Sequence, residues 1–176
     1  MNWGKYILGA LVAAAIVHFA AIYAVPRVLM NVAIERVGAD GFNSWRLADR
    51  VTPASRQVVR PSPDFAYSVC AFDLSNGPLT IVATPWESYW SLSLYAANSD
   101  NFFVIDDREA RDGAALTLVR RGRNTPTDAA RVVESPSQRG IALIRRLAPS
   151  ARSYRAAGQA AAGDICAPFA PPAPAA

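Results

Sequence analysis

At 176 residues the chain has room for one ordinary domain and a short appendage. Hydrophobic residues make up 52% and charged residues 18%, too apolar a balance for a wholly aqueous domain of this size, so part of the chain is expected in lipid; the net charge of +4 is mild. His18 is the single His and Lys5 the single Lys, which excludes Ser-His and Ser-Lys hydrolysis and a His-rich zinc site beyond the N-terminal segment.

Residues 6–25 carry no formal charge and are bounded by Lys5 and Arg27. At about 1.5 Å rise per residue this run spans the roughly 30 Å hydrocarbon core, so a single transmembrane helix is predicted. Trp3, Tyr6 and Tyr23 stand near its ends as interfacial rings. A cleaved signal peptide has a shorter apolar region and a small residue two positions before the cut, where Ile22 stands here. Residues 1–26 are therefore read as an uncleaved anchor. His18 falls mid-span; it is read as a neutral imidazole facing a partner or a local carbonyl, with a proton relay or an interhelical hydrogen bond as the functional alternatives. After Pro26, residues 27–37 have a helical apolar face. A kinked or restarted helix is expected there, on the membrane or docked on the domain, within a juxtamembrane section 27–50.

Residues 51–168 read as a β-rich domain. An extended run over 56–60 ends at Pro61 and Pro63. Strands are predicted over 64–74, 79–84, 89–96, 102–105, 116–119, 130–133 and 141–147, punctuated by turn residues at 75–78, 98–101 and 106–109. In the clearest of them Trp90, Leu92, Leu94 and Ala96 face one way, and Tyr89, Ser91, Ser93 and Tyr95 the other. The expected fold is mainly β, an antiparallel sandwich or barrel-like domain behind the N-terminal helix, with a short C-terminal helix over 149–163. A disordered Pro/Ala tail is expected over 169–176.

Three ordered motifs carry a resemblance. Val59-Arg60-Pro61-Ser62-Pro63-Asp64-Phe65-Ala66-Tyr67-Ser68 comes first, then Phe72-Asp73-Leu74 with Gly77-Pro78. Tyr89-Trp90-Ser91-Leu92-Ser93-Leu94-Tyr95 follows, with Asn98 and Asp100-Asn101-Phe102-Phe103. Together, over roughly residues 25–168, they resemble the domain of unknown function 1254 family. Ser62 and Pro63 depart from the Asn that the family commonly has before the Asp. The resemblance implies a bacterial, membrane-anchored short form without the 1214-type β-rich domain that follows in longer members. That half would then come from a separate chain or not be needed. The family carries no settled activity to transfer.

The remaining chemistry is sparse. Asn98, Asp100, Asp106 and Asp107 offer oxygens for calcium, but an EF-hand counted from Asn98 has Phe103 where the sixth-position Gly belongs, so these turns read as solvated loops. Asp64, Asp73, Glu87 and Asp100 are the carboxylates an envelope hydrolase would draw on. Arg120, Arg121 and Arg123, and the pair Arg145 and Arg146, read as a hairpin turn and a solvated strand face rather than a nucleic-acid site. No phosphate loop or dinucleotide fingerprint is present, and no metal, cofactor or catalytic residue is assigned. Cys70 and Cys166 suit a disulfide in an oxidising compartment, closing a loop of about 100 residues and stabilising by about 4–5 kcal/mol in the chain-entropy model; two unrelated buried thiols are the alternative. The bridge would place the domain in the periplasm and the N-terminus in the cytoplasm of a single-pass inner-membrane protein.

The leading reading is a non-enzymatic periplasmic binding or assembly module of unidentified ligand. Arg60, Asp64, Tyr67, Tyr89, Tyr95, Asn98 and Asp100 are its ligand-binding candidates. A hydrogen-bond network holding the strands together is the structural alternative for the same seven residues. The expected partners are the membrane and a 1214-type chain or other envelope protein. The rival functions are a carboxylate-based hydrolase and one half of a split two-domain protein.

Overall fold

The computed structural model describes residues 3–55, 60–127, 129 and 131–170. The uncharged N-terminal run forms one helix, α1 (Trp3–Gly38), which continues through Pro26 instead of breaking there. Pro26 removes one amide donor, but the surroundings hold the backbone on both sides. The Ser99 hydroxyl donates to the Pro26 carbonyl at 2.8 Å. The Arg27 guanidinium donates to the Tyr23 carbonyl at 2.6 Å and lies 3.6 Å over the Tyr23 ring. The helix is about 54 Å long, and by length and composition it can cross a bilayer. Up to Val25 every described position is exposed; beyond Pro26, Met30, Ile34 and Gly38 are buried.

The strands are β1 (Arg46–Leu47), β2 (Phe65–Asp73), β3 (Leu79–Ala83), β4 (Trp90–Ala96), β5 (Asn101–Asp106), β6 (Ala114–Arg120), β7 (Val132–Ser135), β8 (Arg139–Leu147) and β9 (Ile165–Pro168). They form two sheets, in the orders β1-β2-β8-β4-β5 and β7-β6-β3-β9. The sheets do not close into a barrel. Nor is the domain wholly antiparallel: β7 runs parallel to β6. The chain leaves β6 and returns to its middle before running parallel to its second half, with the Thr117 amide bonded to the Arg131 carbonyl at 2.9 Å, so no tight hairpin joins the two strands.

The expected extended run over 56–60 falls largely outside the described residues. β1 and β9 escaped the sequence pattern, because two and four residues show no alternation. β9 reaches Pro168, where the β-rich domain was expected to end, and the Phe169 amide donates to the Pro78 carbonyl at 2.9 Å. Residues 171–176 lie outside the described part.

One core fills the space between the sheets. Cys70, Phe72, Trp90, Leu92, Leu94 and Ile144 come from the first sheet; Leu79, Ile81, Leu116, Leu118 and Cys166 come from the second. The Cys70–Cys166 disulfide fastens β2 to β9 across this core. Gly140 lets β8 pass close to its neighbours, since a Cβ there would stand 2.4 Å from Phe72 Cζ and 2.2 Å from the Tyr95 carbonyl oxygen. A second helix, α2 (Ala151–Ala161), starts at Ser150, whose hydroxyl accepts from the Ser153 amide in a capping box. α2 sets Ala157 against Ala66 and Ala148, at the end of the domain where β2 begins and β8 ends.

Candidate functional site

In a sheet, residues in register share a face, so strand pairing defines rows of side chains. On the outer face of the five-stranded sheet one row reads Tyr67, Arg145, Ser91, Asp106. The next row toward β8's start reads Val69, Leu143, Ser93, Val104. On the other side of Arg145 stand Phe65 and Leu147 in register, with Tyr89 beside them through the bond from the Leu147 amide to its carbonyl.

α1 crosses the far end of this face, where Ser99 bonds Pro26 and Arg139 lies 3.5 Å from Glu35. Beyond the helix the face is half-open: Phe65, Tyr67, Val69, Tyr89, Leu143 and Arg145 are all partly exposed. Ser91 and Ser93 are buried beneath their larger neighbours, so the polar side of β4 is a covered floor rather than an open surface.

Arg145 is the centre of the open part. Its Nε donates to the Ser91 hydroxyl at 3.3 Å, and among the described residues no carboxylate pairs with it. The Phe65 ring lies 6.2 Å from the Tyr67 ring and 5.9 Å from the Tyr89 ring. A guanidinium bordered by aromatic rings suits an anionic group carried on an apolar body.

Arg146 has the opposite setting. It points into the core, 1% exposed, against an Asp164 side chain that is 0% exposed. Its NH1 and NH2 donate to the two Asp164 oxygens at 2.9 and 2.6 Å, and NH2 also donates to the Thr84 carbonyl at 3.1 Å. Thr84 gives its amide to Asp164 at 2.9 Å. Only Nε of Arg146 lacks a protein partner. The expectation of a solvated basic pair is thus corrected: strand alternation sends consecutive arginines to opposite faces.

The seven sequence candidates are not brought together. Tyr89 and Tyr95 share a face but sit at opposite ends of β4, about 20 Å apart at strand rise. Arg60, Asp64, Tyr67 and Tyr89 lie toward the α2 end. Tyr67 is tied to the turn before it, its hydroxyl accepting from the Ser62 amide at 2.9 Å. Arg60 and Asp64 are exposed and form no ion pair with each other among the described residues. Asn98 and Asp100 occupy the β4–β5 turn beside Pro26, where the Asn98 amide nitrogen donates to the Asp100 carboxylate at 2.5 Å.

The four carboxylates considered for hydrolysis do not share a rim either. Glu87 lines a cleft of about 430 Å³ with Tyr89, Asp107, Arg108 and Arg111, whereas Asp73 lies at the far end in a clasp against α1. Asp73 accepts from Arg139 Nε at 2.6 Å and from the Ser75 amide at 2.8 Å. Burial pushes its carboxyl up, but the hydrogen bonds from Ser75 and the Arg139 guanidinium outweigh burial and hold it below the usual carboxylate range. No cluster of three or more metal-ligating side chains occurs among the described residues.

The family model described as "Protein of unknown function (DUF1254)" matches residues 42–168. No curated protein matches. Among solved structures, the VPA0106 protein from Vibrio parahaemolyticus has a similar fold, with a TM-score of 0.63 at 12% identity over 83% of this chain and 36% of that one. An uncharacterized protein from Burkholderia cenocepacia aligns with a TM-score of 0.44 at 18% identity, over 64% of this chain and 33% of that one. The chain spans about a third of the length of these solved structures.

Proposed function

The chain belongs to the DUF1254 family, and on that premise we propose that it is a membrane-anchored binding module of the bacterial envelope. Its ligand presents an anionic group to Arg145 and an apolar part to Phe65, Tyr67 and Tyr89. The observation that carries this reading is Arg145 itself, half-exposed between aromatic residues and held by one neutral hydroxyl. A cation that pairs with no carboxylate among the described residues, on a half-open aromatic face, is poised for an outside anion. The anchor is residues 6–25. The N-terminus lies in the cytoplasm and the domain in the periplasm, an oxidising compartment in which the Cys70–Cys166 bridge persists.

A photo-crosslinking residue in place of Tyr67, in native membranes, is expected to give a discrete adduct. That adduct should disappear when Arg145→Gln is added, with the unfolding midpoint unchanged. The same adduct in both backgrounds removes Arg145 from the site.

A second reading is one half of a split two-domain protein completed by a 1214-type chain. It is favoured by the Vibrio structure, where the matched part is 36% of a longer chain. Purification in mild detergent tests it: a stoichiometric second β-rich chain is expected, and its absence counts against the split.

A further inference from the structure

We infer that the two-sheet domain rests on the bilayer by one edge, with β5 and the start of β7 in a zwitterionic phospholipid headgroup layer; the inference rests on the anchor reading above. α1 meets the strands of the first sheet in their spatial order. Ser99 of the β4–β5 turn bonds the Pro26 carbonyl, Arg139 at the start of β8 pairs with Glu35, and Arg46 of β1 donates to the Val37 carbonyl at 3.1 Å. From Pro26 to Val37 the helix rises about 16 Å. The strand spacings from the β4–β5 turn to β1 total about 14–19 Å. α1 therefore crosses the strands nearly at right angles. With residues 6–25 standing near the bilayer normal, the strands lie almost flat along the membrane, β5 nearest to it and β1 farthest.

The same helix sets the depth. Residues 6–25 cover about 30 Å, so hydrocarbon ends near Pro26. Arg27 stacks 3.6 Å over the Tyr23 ring there, a cation and an aromatic ring at the boundary. β5 lies within one strand spacing, about 5 Å, of the level of Pro26, and a headgroup layer is about 5–8 Å thick. β5 has no strand beyond it among the described residues, so its outward amides and carbonyls face the surroundings. Hydrocarbon would leave those groups unsatisfied, whereas headgroup phosphates and water bond them. The edge touches the surface and does not sink below it.

Exposed apolar side chains gather at the same level. Among the described residues after the span, the exposed large hydrophobics are Val28, Leu29, Val32, Val104, Val132 and Ile165. The first three stand within about 9 Å of Pro26 along α1. Val104, 56% exposed, is on β5. Val132 opens β7, the outer strand of the second sheet, which lies on the β5 side because the Arg131 guanidinium sits 5.3 Å over the Phe103 ring. Ile165 stands apart on β9, which the disulfide ties to β2. Charge selects the headgroup. β5 is uncharged over 102–105; the following turn, 106–113, carries four carboxylates and two guanidiniums, and Arg131 adds a third cation beside it. Neither sign dominates, so a zwitterionic surface suits this edge better than an anionic one. The Arg145 face then stands upright on the membrane and opens sideways, with Arg145 two strand spacings, about 10 Å, above the rim.

Cys70 and Cys166 are bonded to each other and are the only cysteines, so one added Cys is the sole free thiol. Full-length A20C, V104C, V132C and S44C each receive an NBD fluorophore in phosphatidylcholine vesicles. Ser44 is exposed and stands just before β1, which at strand spacing is about 19 Å from β5. A nitroxide on the lipid headgroup is expected to quench the labels at Val104 and Val132 at least about threefold more than the label at Ser44. A nitroxide in the acyl chain should quench the label at Ala20, inside the span. Acyl-chain quenching at Ala20 with equal headgroup quenching at Val104, Val132 and Ser44 overturns the resting edge alone. No acyl-chain quenching at Ala20 overturns the anchor and the resting edge with it. An excess at Val104 and Val132 that arises only when phosphatidylglycerol is added overturns the zwitterionic partner.

Discussion

The two faces of the five-stranded sheet treat consecutive arginines in opposite ways. Arg146, on the inner face, has its guanidinium tips fully occupied by Asp164 and Thr84 out of reach of water. Arg145, on the outer face, is partly exposed and has a serine hydroxyl as its partner. The inner arginine ties β8 to the end of β3 and to the segment leading into β9, so removing it or its partner is a folding event. The outer one bonds only a hydroxyl on the adjacent strand β4 among the described residues, which leaves the rest of its guanidinium for recognition. In this domain the state of an arginine is decided by which side of the pleat it occupies, and the two roles separate under mutation.

The largest expected effect breaks the inner side. Asp164→Ala leaves the Arg146 charge buried without its acid, which costs about 3–5 kcal/mol. Denaturant unfolding of the full chain in detergent measures this; a loss below 1 kcal/mol would mean that water reaches Arg146 and the inner face is not closed. Next comes the bridge behind the same core. The double Cys70→Ser, Cys166→Ser variant is expected to lose about 2–5 kcal/mol, since it frees a loop of 96 residues' separation in the unfolded chain. Arg145→Gln is the counterpart on the outer face, and its stability should stay within about 0.5 kcal/mol of the parent. A large loss there would make Arg145 a second structural arginine and erase the contrast.

How much of this was legible in the sequence follows from which interactions are local. The uncharged run over 6–25 declared a helix, and the Trp90 to Ala96 alternation declared a strand with two faces. Both are properties of short windows. The continuation of α1 through Pro26 was not legible, because it depends on Ser99, which arrives from a distant turn. β1 and β9 have too few residues to show a period and exist through pairing with β2 and β3.

The disulfide was readable because two cysteines allow only one intramolecular pairing. The seven candidate residues are spread over both ends of the sheet for a definite reason: alternation tells which face a residue shares, not which end. Tyr89 and Tyr95 therefore looked like neighbours while standing a strand length apart. The separation of Arg145 from Arg146 has a signal in the sequence, since two adjacent residues in a strand face opposite ways.

The smallest expected effect sits where the outer face meets α1, and it is a pH effect. Asp73 joins the turn at Ser75 to Arg139, and Arg139 in turn reaches Glu35 of α1 and lies 4.9 Å over the Phe42 ring. The Asp73 carboxyl is held below its ordinary value of 3.8 in the folded chain. A group depressed on folding gives stability that is fully present above the unfolded value and is lost as pH falls through the folded one. The contribution of Asp73 is therefore constant from neutral pH down to about 4 and disappears below that. It is modest, because the Arg139 side chain is 46% exposed and water screens the pair. Asp73→Asn should lower stability slightly at pH 7 and leave a shallower decline between pH 4 and pH 2. Parallel stability curves for the parent and the variant across that interval would show that the carboxylate does not hold the clasp. The joint between helix and sheet would then rest on the burial of Met30 and Ile34 and on the hydrogen bonds from Ser99 to Pro26 and from Arg46 to Val37.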